Sequence, residues 1–532
     1  MAQSDQSIDC DVLVIGGGAT GAGVLHDLTL RGFRVVLAEQ SDLCTGTSGR
    51  YHGLLHSGAR YVVRDPESAQ ECARENRILR KIVPEVIEDT GGLFVAAPVD
   101  PPDYVEPFLK GCTAARIPVQ EIPVAQARRE EPALSPALVR AYCVPDGSCD
   151  SFDLIHVLVA AAEQGGGKAL IYHKVTAIEV VNGAVVGAMV LNVRTGESVR
   201  IRAAAIVNAA GPWAGDIGAL AGLRIQMRHS KGIMIAMNLR WVNTVINRLH
   251  PPGDGDILVP VGTVCVIGTT SITVPRPDSL EITPEEVTAM LDEGEVIIPE
   301  FRRARALRAW AGIRPLYEPP TDANARAEGR AVKRTFSALD HAEEGVKGLV
   351  SIVGGKLTTF RLMAEQASDL VCASLGVDRP CTTATTVLPA SHAGSRRYHA
   401  LPNRQASLER APDHSGLICE CELVTRAQLE AAIAQTGPAV KLDDLRRDLR
   451  LGMGPCQAGF CAYRAAGILQ QAQDVPATTA VNALRKFVDE RFRGDRPLLW
   501  GHQLRQALLD ESIYRRALGL TPLTPKSADH DG

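Results

Sequence analysis

Four cysteines in the last quarter of the chain are spaced for metal chemistry. Cys419 and Cys421 form C-x-C, and after 34 intervening residues Cys456 and Cys461 form C-x4-C. Four thiolates carried on two short, glycine-flanked loops can bind a tetrahedral zinc or a [2Fe–2S] cluster, or stay unligated. Zinc more often takes wider pairs at both ends, so C-x-C weighs toward the cluster. The other nine of the 13 cysteines are scattered and read as small buried hydrophobes.

A second constellation stands at the other end of the chain. Asp11–Ile15 reads as a short buried strand, followed by Gly16-Gly17-Gly18-Ala19-Thr20-Gly21 and a helical stretch to about Arg31. Arg34–Ala38 is a second strand, ended by Glu39, which lies 18 residues after Gly21. Gly16 permits the tight turn, Gly18 lets a pyrophosphate approach the backbone, and Gly21 lets helix and strand pack closely. The helix N-terminus offers unpaired N–H groups and a positive dipole end to a diphosphate. Glu39 is placed to accept from the adenosine ribose hydroxyls. The motif in this setting points to a dinucleotide, without separating NAD from FAD.

These residues need a body to hold them. At roughly 150 residues per domain, 532 residues make three or four domains, or one large domain with an appendix. Hydrophobic residues are 45% and charged residues 22%, which excludes a disordered chain, a fibre or a coiled coil. Lys and Arg number 57 against 61 Asp and Glu, so no basic excess points to nucleic acid. Ile257–Pro275 holds 19 residues without a charge, but its prolines, glycines and β-branched residues read as two buried strands with a turn, not a membrane span. The opening MAQSDQSIDCDV has no basic region followed by an apolar stretch, so no secretory leader and a reducing cytosolic setting are expected.

Seven segments occur in a telling order: GGGATGAG, LLHSGARY, VNAAGPW, KGIMIAM, IGTTS, AGIRPL and VGGKLTTFR. Together they resemble the FAD-dependent glycerol-3-phosphate dehydrogenases, within the amino-acid-oxidase-like flavoproteins, over roughly residues 8–390. RYHGLLHSGARY has Ser57-Gly58 where many members have Gly-Gly. It resembles most the subfamily that supplies the catalytic chain of anaerobic dehydrogenase complexes. The resemblance implies an α/β and α+β chain: a Rossmann-like FAD-binding domain interleaved with an antiparallel-sheet substrate domain, together residues 1–388. A linker over 389–416 would follow, then a small cysteine-cluster helical domain over 417–470 and a helical extension over 471–532. The C-x-C pair, the long helical spacer and GMGPCQ resemble the bacterioferritin-associated-ferredoxin-like [2Fe–2S] domain.

Residue by residue, the resemblance implies that His56, Arg60, Arg314 and Lys356 line the substrate site. Arg and Lys suit a phosphate. Histidine titrates near neutrality and can take a hydroxyl proton. Against these stand a structural histidine near the flavin and a loop arginine paired with an acid. Thr269 and Thr270 end a strand and either donate to substrate oxygens, Thr270 foremost, or simply terminate it. Cofactor contacts are expected from Gly16, Gly18, Gly21 and Glu39, from Thr47 and Ser48, from Ala210 and Gly211, and from Gly354, Gly355, Leu357 and Thr358.

The implied activity is oxidation of sn-glycerol 3-phosphate to dihydroxyacetone phosphate, with FAD and a [2Fe–2S] cluster carrying electrons toward a quinone. The implied partners are a second flavoprotein subunit, and with it an iron–sulfur subunit that anchors the complex at the cytoplasmic face of the inner membrane. Two other readings stay open: a flavin dehydrogenase for a 2-hydroxy acid or opine-type amino acid, and a non-catalytic electron-transfer subunit. The discriminator is whether at least two of Arg60, Arg314 and Lys356 converge.

Overall fold

The computed structural model describes residues 7–318, 335–389, 405–406, 408–410, 416–436 and 441–520. Most of the expected linker and the end of the C-terminal extension, 521–532, lie outside the described residues.

The strand Val12–Ile15 is apolar throughout because both its faces are covered. It pairs in parallel with Val35–Glu39 on one side and Ala205–Asn208 on the other. Lys168–Ile171, Leu349–Gly354 and an antiparallel edge strand, Phe336–Asp340, complete six strands. Alternate residues face opposite ways. Val12, Val14, Leu37 and Val207 pack under the helices Ala19–Leu30, Ser151–Gln164 and Phe360–Ser374. Leu13, Ile15, Val36 and Ile206 pack on a four-stranded sheet through Val175, Val190 and Ile201. The parallel strands therefore end together, and the turns after Ile15, Glu39, Asn208 and Gly354 gather at one rim, where ligands of such sheets bind.

The chain between these strands builds a nine-stranded, largely antiparallel sheet. Its longest pairing joins Met227–Met237 to Ala306–Tyr317, with Ser230 opposite Arg314 and Gly232 opposite Gly312. The uncharged Ile257–Pro275 stretch forms three strands rather than two. Ile257–Val261 and Val264–Gly268 make a buried hairpin, and Ile272–Val274 leaves it to pair with Met227–Met237. The lack of charge reflects burial inside this sheet. Among the described residues no helix is long and apolar enough to cross a membrane.

Beyond the linker, Leu417–Cys419 and Val424–Thr425 form a small hairpin. The helices Arg426–Thr436, Leu442–Leu449, Cys461–Gln473 and Ala477–Phe492 follow. Gly501–Glu511 then runs into a π-helical turn over Ser512–Ala517. Leu429, Leu445, Ala465, Phe487 and Tyr514 share one core. The extension also packs back on the body: Leu498 belongs to the core of the nine-stranded sheet, and Gln503 Nε2 donates to the Leu307 carbonyl at 3.1 Å.

Candidate active site and cysteine centre

The dinucleotide turn is built by backbone crowding that only glycine tolerates. Gly16 has φ +113°, and a Cβ there would sit 2.7 Å from the Ala209 carbonyl oxygen. A Cβ on Gly21 would lie 1.8 Å from the Gly16 carbonyl oxygen. Gly18 begins the helix Ala19–Leu30 without a side-chain cap, and the Ala19 N–H donates to Ser48 Oγ at 3.0 Å. Glu39 accepts from the Gly17 N–H at 2.7 Å and the Ser41 N–H at 2.8 Å. Burial pushes its carboxyl above the usual range despite these bonds.

A cavity of about 1410 Å³ runs from this turn across the sheet rim. That exceeds the roughly 300–1,000 Å³ of ordinary small-molecule sites and leaves room for a dinucleotide and a small substrate together. Gly16, Gly18 and Glu39 line one end, and Thr47, Ser48, Ala210 and Gly211 follow. Gly354, Gly355, Leu357 and Thr358 line the wall beside His56, Arg60, Arg314 and Lys356. Gly21 stands behind the turn, in keeping with a packing role. The glycines whose added Cβ would meet backbone, together with the half-buried Glu39, fit the adenosine diphosphate half of FAD.

The substrate end is assembled from four distant segments. The His56 N–H donates to Thr358 Oγ1 at 3.1 Å, joining LLHSGARY to VGGKLTTFR. Gly58 has φ +98°, and a Cβ there would lie 2.2 Å from the Ala69 carbonyl oxygen. Position 57 is less demanding: Ser57 is buried, and its N–H donates to Asp146 at 2.7 Å. The Ser-Gly departure thus keeps glycine where the backbone needs it. His56 Nε2 lies 3.3 Å from the Tyr61 hydroxyl, and Lys356 Nζ lies 4.5 Å from the centre of the Tyr61 ring. Arg314 donates to Ser230 Oγ at 3.1 Å, to the Thr270 carbonyl at 2.8 Å and to the Thr269 hydroxyl.

One expectation needs correction, and one residue that does line the cavity has a buried partner the sequence did not show. Thr270 is not at the cavity. Its side chain is buried, accepting from the Ile233 N–H at 3.0 Å and donating to Glu286 at 3.2 Å. Glu286 is held inside by Lys231 at 2.9 Å and draws the neighbouring hydroxyl inward. Thr269 lines the cavity instead. Arg60 reaches the cavity wall, but its Nη2 donates to both oxygens of the fully buried Asp256, at 2.7 and 2.8 Å. Its charge is therefore balanced within the protein, which leaves Arg314 and Lys356 as the better-placed phosphate cations.

Sequence reasoning passed over Tyr61, Asp256 and Glu71. Tyr61 lay inside a quoted motif, five residues after His56. Asp256 carried no local signal. Glu71 faces the same corner: burial raises its carboxyl to about 7 against the opposing pull of Lys356.

The cysteines meet as two pairs, and none of the 13 forms a disulfide. Cys419 is hydrogen-bonded to Cys461, and Cys421 to Cys456. Hydrogen bonding from Cys421, aided by the N–H groups of Phe460, Ala458 and Gly459, holds the Cys456 thiol down to about 6. Gln457 and Ala458 have φ +50° and +76°, the left-handed turn that aims those amides at sulfur. A Cβ on Gly454 would lie 2.3 Å from Cys421 Cβ. Among the described residues no three His, Cys, Asp or Glu side chains converge on one point for a single ion. The two thiol pairs bring together the four sulfurs that a two-iron cluster takes.

The cysteine module is clamped to the body through the helix Leu442–Leu449. Buried Arg447 pairs with Asp42 at 2.6 Å and with Asp444 at 2.7 Å. Asp444 also accepts from the Tyr172 hydroxyl at 2.6 Å and pairs with Arg194 at 3.1 Å. Arg450 bridges Asp150 at 3.2 Å and Glu422 at 3.1 Å. Asp42 stands three residues after Glu39, so the clamp grips the loop that follows the nucleotide acid.

Residues 11–361 match the family described as FAD dependent oxidoreductase. The chain belongs to that family. Residues 417–471 match a BFD-like [2Fe-2S] binding domain. This flavoprotein is 42% identical over 530 residues to an anaerobic glycerol-3-phosphate dehydrogenase subunit of Escherichia coli (strain K12), covering 96% of this chain and 97% of that one. It is 40% identical to an anaerobic glycerol-3-phosphate dehydrogenase subunit of Haloferax volcanii, covering 98% and 92%. Its fold is similar to the glycerol-3-phosphate dehydrogenase from Bacillus halodurans complexed with FAD, with TM-score 0.58, 21% identity and 98% and 97% coverage. As a member of this family the chain takes FAD, and its BFD-like domain takes a [2Fe–2S] cluster.

Proposed function

We propose that the chain oxidises sn-glycerol 3-phosphate at C2 to dihydroxyacetone phosphate. One observation carries the reading: a single cavity joins the nucleotide turn to a corner holding Arg314, Lys356, His56 and Tyr61. FAD, when bound, supplies the acceptor for the C2 hydrogen and its electron pair. Arg314 and Lys356 bind the phosphate as charge-assisted donors. His56 takes the hydroxyl proton at Nε2, with the Tyr61 hydroxyl beside that nitrogen orienting the ring. Arg60 is fixed by Asp256 and shapes the wall. The four thiolates hold the cluster, which supplies one-electron transfer.

The electrons leave toward a quinone through two partners, a second flavoprotein subunit plus an iron–sulfur anchor subunit, which hold this chain at the cytoplasmic face of the inner membrane. The names of its relatives, which are themselves subunits of a larger dehydrogenase, and the paired cysteines support that arrangement. The test is anaerobic mixing of the purified protein with glycerol 3-phosphate while flavin absorbance is followed. Rapid bleaching is expected, with glycerol a poor substitute. Faster bleaching by lactate or an opine would replace this reading.

A further inference from the structure

His52 stands four residues before His56, and it too lines the cavity. Its Nδ1 accepts from the Leu54 N–H at 3.1 Å. That bond sets the tautomer: Nδ1 is bare and Nε2 carries the hydrogen. The amide is itself locked, because Leu54 and Leu55 are buried and paired with Ser148 and Gly147. The ring is confined as well. A Cβ on Gly268 would lie 2.9 Å from His52 Cδ2, and the ring centres of Tyr51 and His56 are 5.9 and 6.2 Å away. Among the described residues no protein group pairs with Nε2. We infer that His52 is a second substrate-site histidine, a neutral Nε2–H donor that binds the phosphate end of the substrate.

The two histidines have different work. His52 cannot be the base, because Nε2 already carries the proton and Nδ1 is occupied. Burial, then the fields of Arg60 and Arg314, hold its pKa down to about 3, with only Asp256 opposing. The ring therefore stays uncharged across working pH. It offers a directed hydrogen bond in a site already rich in cations, where a third charge would cost desolvation. The neighbouring cation Arg314, which donates to hydroxyl and carbonyl oxygens, shows which part of the substrate comes near: an anionic oxygen is the group its guanidinium draws to that side. The assignment rests on the phosphate-ester reading of the site, and the test separates the two.

Two variants decide it. His52→Phe keeps the ring shape and removes the donor; His52→Gln keeps a donor. The half-saturating glycerol 3-phosphate concentration for flavin bleaching is measured, and separately the affinity for inorganic phosphate from its perturbation of the oxidised flavin spectrum. His52→Phe is expected to weaken both on the order of ten- to a hundred-fold, as losing a hydrogen bond to a charged group does, with a much smaller change in limiting rate. His52→Gln is expected to recover most of the loss. Wild-type phosphate affinity in His52→Phe overturns the inference. So does a shifted resting flavin spectrum without a phosphate effect, which would make His52 a donor to the flavin. Loss of FAD from both variants makes the ring structural and also overturns it. If the wild type is not bleached by glycerol 3-phosphate, the proposed function fails, while the phosphate titration still decides the role of His52.

Discussion

The nucleotide turn at Gly16–Gly21 and the cysteine loop at Gly452–Cys461 answer one problem by different routes. Each must hold negative charge, a diphosphate in one and thiolates in the other, and each does so with backbone N–H groups. The nucleotide turn is mostly local, with the Ala209 carbonyl against Gly16 as its distant support. Strand, turn and helix are contiguous, and the crowding of Gly21 against Gly16 is decided within six residues. The cysteine loop is half a site. Its amides meet Cys456, but Cys421 and Cys419 arrive on a separate hairpin. Its position on the body depends on buried ion pairs reaching back to Asp42 and Asp150. A local site survives mutation elsewhere; a composite one fails wherever any of its supports is cut.

The largest effect is expected at the cysteines. Replacing Cys419 or Cys456 with Ser should abolish the iron–sulfur absorbance, yet leave substrate-driven flavin bleaching and transfer to a flavin-accepting dye. Electron delivery to quinone should stop. Zinc in the metal analysis, or normal quinone reduction without a cluster, would erase the division of labour between the two regions.

Cutting the clamp comes next. Arg447→Met leaves Asp42, Asp443 and Asp444 together without their shared cation. Breaking a buried pair this way costs about 3–5 kcal/mol. Thermal unfolding and limited proteolysis should show the module loosening first, with FAD retained. A concerted loss of FAD and module would mean that the two regions are one cooperative unit.

Within the cavity, Arg314→Ala should raise the half-saturating glycerol 3-phosphate concentration. Losing a charge-assisted contact costs about 1.5–3 kcal/mol, or roughly ten- to a hundred-fold. Arg60→Ala acts differently, because it strands the buried Asp256 carboxylate; thermal stability should fall before substrate affinity does. Equal affinity losses with unchanged stability would return Arg60 to the phosphate site.

The smallest effect is a pH dependence of the clamp. Burial alone would lower the pKa of His156, but its 3.0 Å contact with Asp448 prevails and raises it to about 9 from 6.5. A raised value stabilises the folded state fully below pH 6.5, and the contribution fades as pH rises through 9. Module protection in hydrogen exchange should therefore decline from pH 6.5 to 9 in the wild type and stay flat in His156→Gln. A flat wild-type profile would remove His156 from the clamp.

The sequence by itself determined what depends on neighbours along the chain. The apolar strand before Gly16, the acid at Glu39 and the glycines at 354 and 355 are short-range patterns, and strand geometry brings them to one rim. The four cysteines were legible because their spacing is chemical before it is structural. Tertiary structure decided what depends on distant partners. Arg60 meets an aspartate 196 residues away, so nothing around it in the chain reveals that its charge is balanced. Thr270 turns inward because Glu286 lies on a helix 16 residues further on, leaving Thr269 at the cavity. His52 has its tautomer set by a backbone amide only two residues away, yet its meaning comes from Arg314, brought to it on the distant strand Ala306–Tyr317. Charge balance and side-chain direction are sums over everything packed nearby, and only the folded chain fixes that sum.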